Sequence, residues 1–392
     1  MASKFYFEIA FILGLVLVCT NADNKIFNVL SYGAKADGVT DNSKAFLDAW
    51  MDACKWNGNA ALLIPLETFM VYGVNFIGPC KGSLSFQIQG VIKAPTDPKL
   101  FCHDTWISFK GVNFLEINGG GTLDGQGFSA WNKSQCATLP STLKLSFIQN
   151  ATVHDIHSIN SKMFHFDVFS CNNVMFSHVN IMAPENSPNT DGIHVSASSN
   201  IQVFDSNIGT GDDCISIFAG SQIINISGVT CGPGHGISIG SLGRSPNEVV
   251  KDIHVKSCTL IATQNGVRIK TFASANVGSA TAINFEDIIM NNVRNPVIID
   301  QHYCPTPPCS GQASSVQIKD VTFNNITGTS SSIAAVTFNC SSLFPCQRIN
   351  LSDINLSHNG TGGPAIALCA NAKGSATGEE LPPSCLKSIL DS

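Results

Sequence analysis

From Asn113 onward the chain repeats one phrase. Short runs in which β-branched and aromatic residues alternate with polar ones stand between turns of asparagine, glycine and serine, as in Asn173-Val174-Met175-Phe176, Asn200-Ile201-Gln202-Val203 and Gln222-Ile223-Ile224-Asn225. Val174 and Ile201 are 27 residues apart and Ile201 and Ile223 are 22 apart, with later echoes at Asp252-Ile253-His254-Val255, Ile283-Asn284-Phe285 and Val316-Gln317-Ile318. Alternation with period two marks strands. A repeat of about 20 to 30 residues made only of strands points to an all-β solenoid, a parallel β-helix in which each coil is one rung. A β-sandwich also has many short strands, but it leaves the one-coil spacing of like phrases unexplained.

Ahead of the strands, Phe27-Asn28-Val29-Leu30 and a turn at Gly33 to Gly38 lead into a stretch where Ala45, Phe46, Ala49, Trp50 and Ala53 recur at helical spacing. A single short helix there predicts an N-terminal cap, hiding apolar surface and unpaired strand edges at the open end of the solenoid. No linker divides the chain, and the tail from Ala370 to Pro383 reads as a terminal loop held by cysteines.

The chain has 392 residues, 44% hydrophobic and only 13% charged, enough for a long core. Its net charge of −6 argues against a nucleic-acid partner, which calls for a basic stripe. Lys4, an apolar run from Ile9 to Val18, and small polar residues ending at Asn21 and Ala22 have the anatomy of a secretory signal over residues 1–22, leaving 23–392 as one domain. The apolar run is too short to span a bilayer, so no membrane anchor is expected. Fifteen cysteines, of which Cys19 lies in the leader, leave fourteen for an oxidising compartment. No CxxC pair suggests zinc. Sequons beginning at Asn132, Asn150, Asn225, Asn325, Asn339, Asn350, Asn355 and Asn359 fit secretion.

The densest chemistry lies between Asn189 and Lys270. Asn189-Thr190-Asp191-Gly192 is followed 21 residues later by Gly211-Asp212-Asp213-Cys214, then by Gly234-His235-Gly236 and Arg268-Ile269-Lys270. On coils of about 22 residues this spacing places Asp191 and Asp212 at equivalent positions on successive rungs, roughly 5 Å apart, with His235 one rung further. Asp-Gly and Asp-Asp also occur as plain turn residues. Carboxyls so close cannot all ionise, so one is expected to hold a proton while another stays a base, the division of labour in glycoside hydrolysis. Arg268 and Lys270 project to one face of a strand and could clamp a carboxylate, although a solvated strand face would look the same.

These four phrases, in this order, resemble the signature of the polygalacturonases, glycoside hydrolases that degrade pectin. The likeness runs from Phe27-Asn28-Val29 and Tyr32-Gly33-Ala34 to the cysteine-rich tail. The resemblance implies a right-handed parallel β-helix that hydrolyses α-1,4-linked galacturonic acid with inversion, without metal or cofactor. It assigns Asp212 as general acid, Asp191 and Asp213 as the pair holding the attacking water, and His235 as the residue tuning the acid's protonation. Arg268 and Lys270 match substrate-carboxylate binders, and Tyr303 a substrate-contacting tyrosine, for which packing is an equal reading. The resemblance also supports a bridge from Cys214 to Cys231.

Cys340 with Cys346 and Cys369 with Cys385 are further local pairings, and Cys304 with Cys309 is plausible despite Pro305, Pro307 and Pro308; connectivity stays open. Tyr303-Cys304-Pro305 and the proline loop to Cys309 look like the plant pollen-type exopolygalacturonases, implying a secreted, monomeric wall enzyme that trims non-reducing ends of polygalacturonic acid. Endo cleavage, a non-catalytic pectin-binding wall protein and a calcium-dependent pectate lyase remain rival readings. The spacing itself is in tension with inversion. Inverting enzymes hold their carboxyls about 6.5 to 9.5 Å apart, whereas one-rung stacking gives nearer 5 Å.

Overall fold

The computed structural model describes residues 25–102, 104–131 and 136–387; the leader at 1–22 lies outside them. Among these residues the chain winds into parallel coils whose strands stack into long sheets. One stack runs the length of the molecule and sets Phe86, Ile117, Val153, Phe176, Val203 and Ile226 one above another, all buried. A second sheet of eleven strands, from Val74–Ile77 to Ile366–Ala370, forms a separate wall and carries the site. Inward, it stacks Val168, Val195, Ile217, Ile239 and Ile269. Outward, on the alternate positions, it stacks Lys144, Asp167, His194, Ser216, Ser238 and Arg268. Alternation along each strand therefore becomes two columns, one apolar and one chemical.

The chain bends between strands at single residues in the left-handed region. Asn150, Asn173, Ile223 and Asp252 form one such column with Asn200, at φ between 54° and 60°. Asparagine tolerates this conformation, and its stacked amides pair: Asn173 Nδ2 donates to Asn150 Oδ1 at 2.6 Å and Asn200 Nδ2 to Asn173 Oδ1 at 3.0 Å. The coil spacing here differs by one residue from the sequence expectation. Ile201 stacks on Ile224, and Ile223 is the bend residue, 45% exposed.

The helix Ser43–Lys55 covers the first coil with Ala45, Phe46, Ala49, Trp50 and Ala53 turned inward, and Trp50 packs on Phe76 and Phe109. Cys54–Cys80 ties it to the adjoining coil. Further bridges join Cys102–Cys136, Cys214–Cys231, Cys304–Cys309, Cys340–Cys346 and Cys369–Cys385. Cys171 and Cys258 remain thiols, so the even cysteine count does not mean that all pair. Burial pushes each up to about 11, which keeps them unreactive. The tail is not a loop: Ala372–Leu381 is a strand paired with Cys346–His358, extending the solenoid. No helix among the described residues is long and apolar enough to cross a membrane.

Candidate active site

Asp191, Asp212, Asp213 and His235 lie where coils turn into the eleven-stranded sheet, Arg268 and Lys270 within its strand Asn265–Phe272, and Tyr303 at the end of its strand Asn295–Tyr303. Ile193, Ile215 and Ile237 are register partners, so Asp191, Asp213 and His235, each two residues earlier, hold equivalent places on three successive coils. This corrects the sequence alignment of Asp191 with Asp212: the carboxylates one rung apart are Asp191 and Asp213, and Asp212 stands one place off that column. The approximately 5 Å spacing thus belongs to Asp191 and Asp213, and it sets no distance between Asp212 and either. The glycines of the motifs allow close coil contact. Gly236 has φ +89°, and a Cβ there would run into the Asn265 carbonyl.

Each carboxylate has a different set of partners. Asp213 is 2% exposed and has both oxygens occupied: Oδ1 accepts from Ser238 Oγ at 2.7 Å and from an Arg268 terminal nitrogen at 2.6 Å, Oδ2 from Lys270 Nζ at 2.8 Å. Burial pushes its pKa up, but the Lys270 ammonium and the Arg268 guanidinium outweigh that and hold it down to about 2. Asp191 is 9% exposed; its Oδ2 accepts from Ser216 Oγ at 2.6 Å, and His194 Nδ1 lies 3.7 Å away. Burial raises the Asp191 pKa, and the nearby Asp212 and Asp213 charges push in the same direction, against the opposing influence of His194. Asp212 is the most open, at 23%. Both its internal contacts use Oδ1, which meets His235 Nδ1 at 2.9 Å and the Asp213 backbone N–H at 2.9 Å. Among the described residues Asp212 Oδ2 takes no bond and is left for the cleft.

Arg268 and Lys270 are both buried, and their ion pairs go to Asp213. Tyr303 lies against them, its ring 5.9 Å from the guanidinium carbon and 5.2 Å from the ammonium. Asp212, Asp213 and His235 bring three donor atoms within 4.8 Å. They suit a metal ion poorly, because two side-chain cations already sit on Asp213 and would repel a third.

The sequence profile described as Glycosyl hydrolases family 28 matches residues 54–379. The chain belongs to this family. An exopolygalacturonase of Platanus acerifolia is 48% identical over 92% of this chain and 98% of its own length. A polygalacturonase of Gossypium hirsutum is 43% identical over 95% of this chain and 94% of its own. The crystal structure of an endo-xylogalacturonan hydrolase from Aspergillus tubingensis superposes with a TM-score of 0.79 at 22% identity, covering 90% of this chain and 99% of that one, which bears on fold alone.

Within this family 28 chain the fold gathers every site residue singled out from sequence: Asp212, Asp213, His235, Arg268, Lys270 and Tyr303 are joined by the contacts above, and Asp191 stands one coil from Asp213 in the same column. Three residues escaped sequence reasoning. His194 Nδ1 lies 2.8 Å from Ser216 Oγ, which donates to Asp191, while Arg268 Nε donates to Ser238 Oγ at 2.9 Å, and Ser238 donates to Asp213. Two like relays therefore support neighbouring carboxylates. Their signal was present, since His194, Ser216 and Ser238 follow Asp191, Asp213 and His235 by three residues each, 22 residues apart.

Proposed function

We propose that this chain is a secreted, monomeric hydrolase of the plant cell wall that releases galacturonic acid from the non-reducing ends of polygalacturonic acid with inversion. The observation that carries the chemistry is the unequal partnering of three neighbouring carboxyls. Asp212, the most exposed, presents an unbonded Oδ2 and acts as general acid on the glycosidic oxygen, with His235 on its other oxygen fixing the orientation. Asp191, buried and raised in pKa, keeps Oδ1 for the attacking water and takes its proton. Asp213, fully occupied and ionised, anchors Arg268 and Lys270, whose remaining N–H groups and the Tyr303 ring meet the sugar carboxylate.

Trimming from ends is supported by the Platanus relative and by the ties among the coils ahead of Asp191. The segments leading into Thr105–Lys110 and Ser141–Ser146 stand on the same edge as Asp191, coils nearer the N-terminus. Cys102–Cys136 ties them, and buried Lys162 donates to the carbonyls of Pro95 and Gly125.

The test is a time course on polygalacturonate with chelator present, resolving product sizes at early conversion. Monomer alone from the first minutes, without the ultraviolet absorbance of an unsaturated sugar, is expected. Oligomers would mean endo cleavage, and no product would leave a binding protein. Asp212→Asn is expected to fold normally and to lose roughly 10²- to 10⁴-fold in kcat, as removal of a general acid predicts.

A further inference from the structure

Arg268 and Lys270 share their charge with Asp213, and a further cation near them has no such partner. Arg244 is exposed, and its guanidinium lies 5.2 Å over the Phe272 ring. No carboxylate among the described residues forms an ion pair with it. Glu248, the nearest acid in sequence, is spent on the loop backbone, accepting from the N–H groups of Gly243 at 2.6 Å, Arg244 at 3.2 Å and Ser245 at 3.0 Å. Asn276 Nδ2 donates to the carbonyls of Gly243 and Arg244, so the loop is held from both sides while its guanidinium stays free.

Arg244 and Phe272 line a hollow of about 490 Å³ together with Asn276, Tyr303 and Pro305. The hollow adjoins the catalytic cluster. Phe272 lies 5.6 Å from Tyr303, centroid to centroid, and Tyr303 in turn lies over Lys270, which holds Asp213. A free guanidinium fixed on an aromatic ring, in a hollow that shares Tyr303 with the catalytic cluster, has the chemistry to take a carboxylate through two parallel N–H donors.

We propose that Arg244 binds the carboxylate of an outer sugar, the galacturonic acid unit next beyond the two that flank the cleaved bond. This rests on the reading of the chain as a polygalacturonan hydrolase. Arg244 then serves grip and chain-length preference, not bond cleavage.

Digalacturonate supplies only the two units flanking the bond, and trigalacturonate adds the outer one. Wild type, Arg244→Gln and Arg244→Lys are compared on both by initial rates, with thermal melting as the check of folding. Wild type should prefer the trimer, and Arg244→Gln should lose roughly tenfold of that preference, through KM, as loss of a charged hydrogen-bond pair predicts. Arg244→Lys should recover part of it, keeping charge without the fork. A wild type indifferent to the third unit, a preference unchanged in Arg244→Gln, or equal losses on both substrates would each overturn the proposal. Should wild type cleave neither, the hydrolase reading fails by itself. Calorimetric titration with trigalacturonate then decides the site: weaker binding to Arg244→Gln sustains it, and equal binding ends it.

Discussion

Three aspartates of one chemical type part company because of what faces each oxygen. Two cations on Asp213 keep it ionised; burial without a cation raises Asp191; Asp212 keeps an oxygen open to the cleft. If Asp191 is the base, activity falls on the acid side as its raised carboxyl takes a proton. Ser216 donates to the ionised form, so its removal raises that pKa further. Ser216→Ala is therefore expected to move the acid limb of kcat/KM to higher pH by about one unit, the size of one hydrogen bond to a charged group. A rate that falls evenly at every pH, with the limb unmoved, would mean that Asp191 is not the titrating base.

At the scale of the element, one column of bends shows what the coil asks of its residues. Asn150, Asn173 and Asn200 meet a left-handed backbone with side chains that tolerate it and pair with each other. Ile223 interrupts the ladder at φ 56° with a β-branched side chain, in register between Asn200 and Asp252. Ile223→Asn is expected to relieve the strain and extend the amide ladder, stabilising by about 1 kcal/mol and raising Tm by roughly 1–3 °C. A lower melting temperature would show instead that the exposed isoleucine packs usefully where it stands. The bend column also explains why the sequence repeat slipped by one residue at Ile223: the apolar letter there is a turn, and periodicity by itself cannot tell a turn isoleucine from a core one.

Over the whole molecule, stability is passed from coil to coil, so the ends matter most. The helix Ser43–Lys55 protects the first coils, and Cys54–Cys80 closes a loop of 26 residues between helix and solenoid. Removing that bridge by Cys54→Ser with Cys80→Ser is expected to cost about 3 kcal/mol. Hydrogen exchange should then show protection lost first in Ala60–Ile64 and Leu84–Ile88, with the strands around Asp213 keeping theirs. An even loss along the molecule would mean that the solenoid unfolds as one unit rather than from its end.

What the sequence determined by itself was whatever depends on local period and local chemistry. The strand phrases, the inward face of the helix at Ala45, Phe46, Ala49, Trp50 and Ala53, and the aspartate, histidine and basic motifs were all legible there, because alternation and motif spacing are written along the chain. The tertiary structure alone decided the register, since a coil can absorb one residue at a bend without changing its pattern. That single residue puts Asp213, not Asp212, in the column of Asp191 and His235. It also decided that Arg268 and Lys270 pair with Asp213 and that Arg244 is left without an acidic partner over Phe272. Charge in a sequence carries no partner; only the stacking of coils brings residues 55 and 57 positions apart into contact and so settles which cations are paired and which are not.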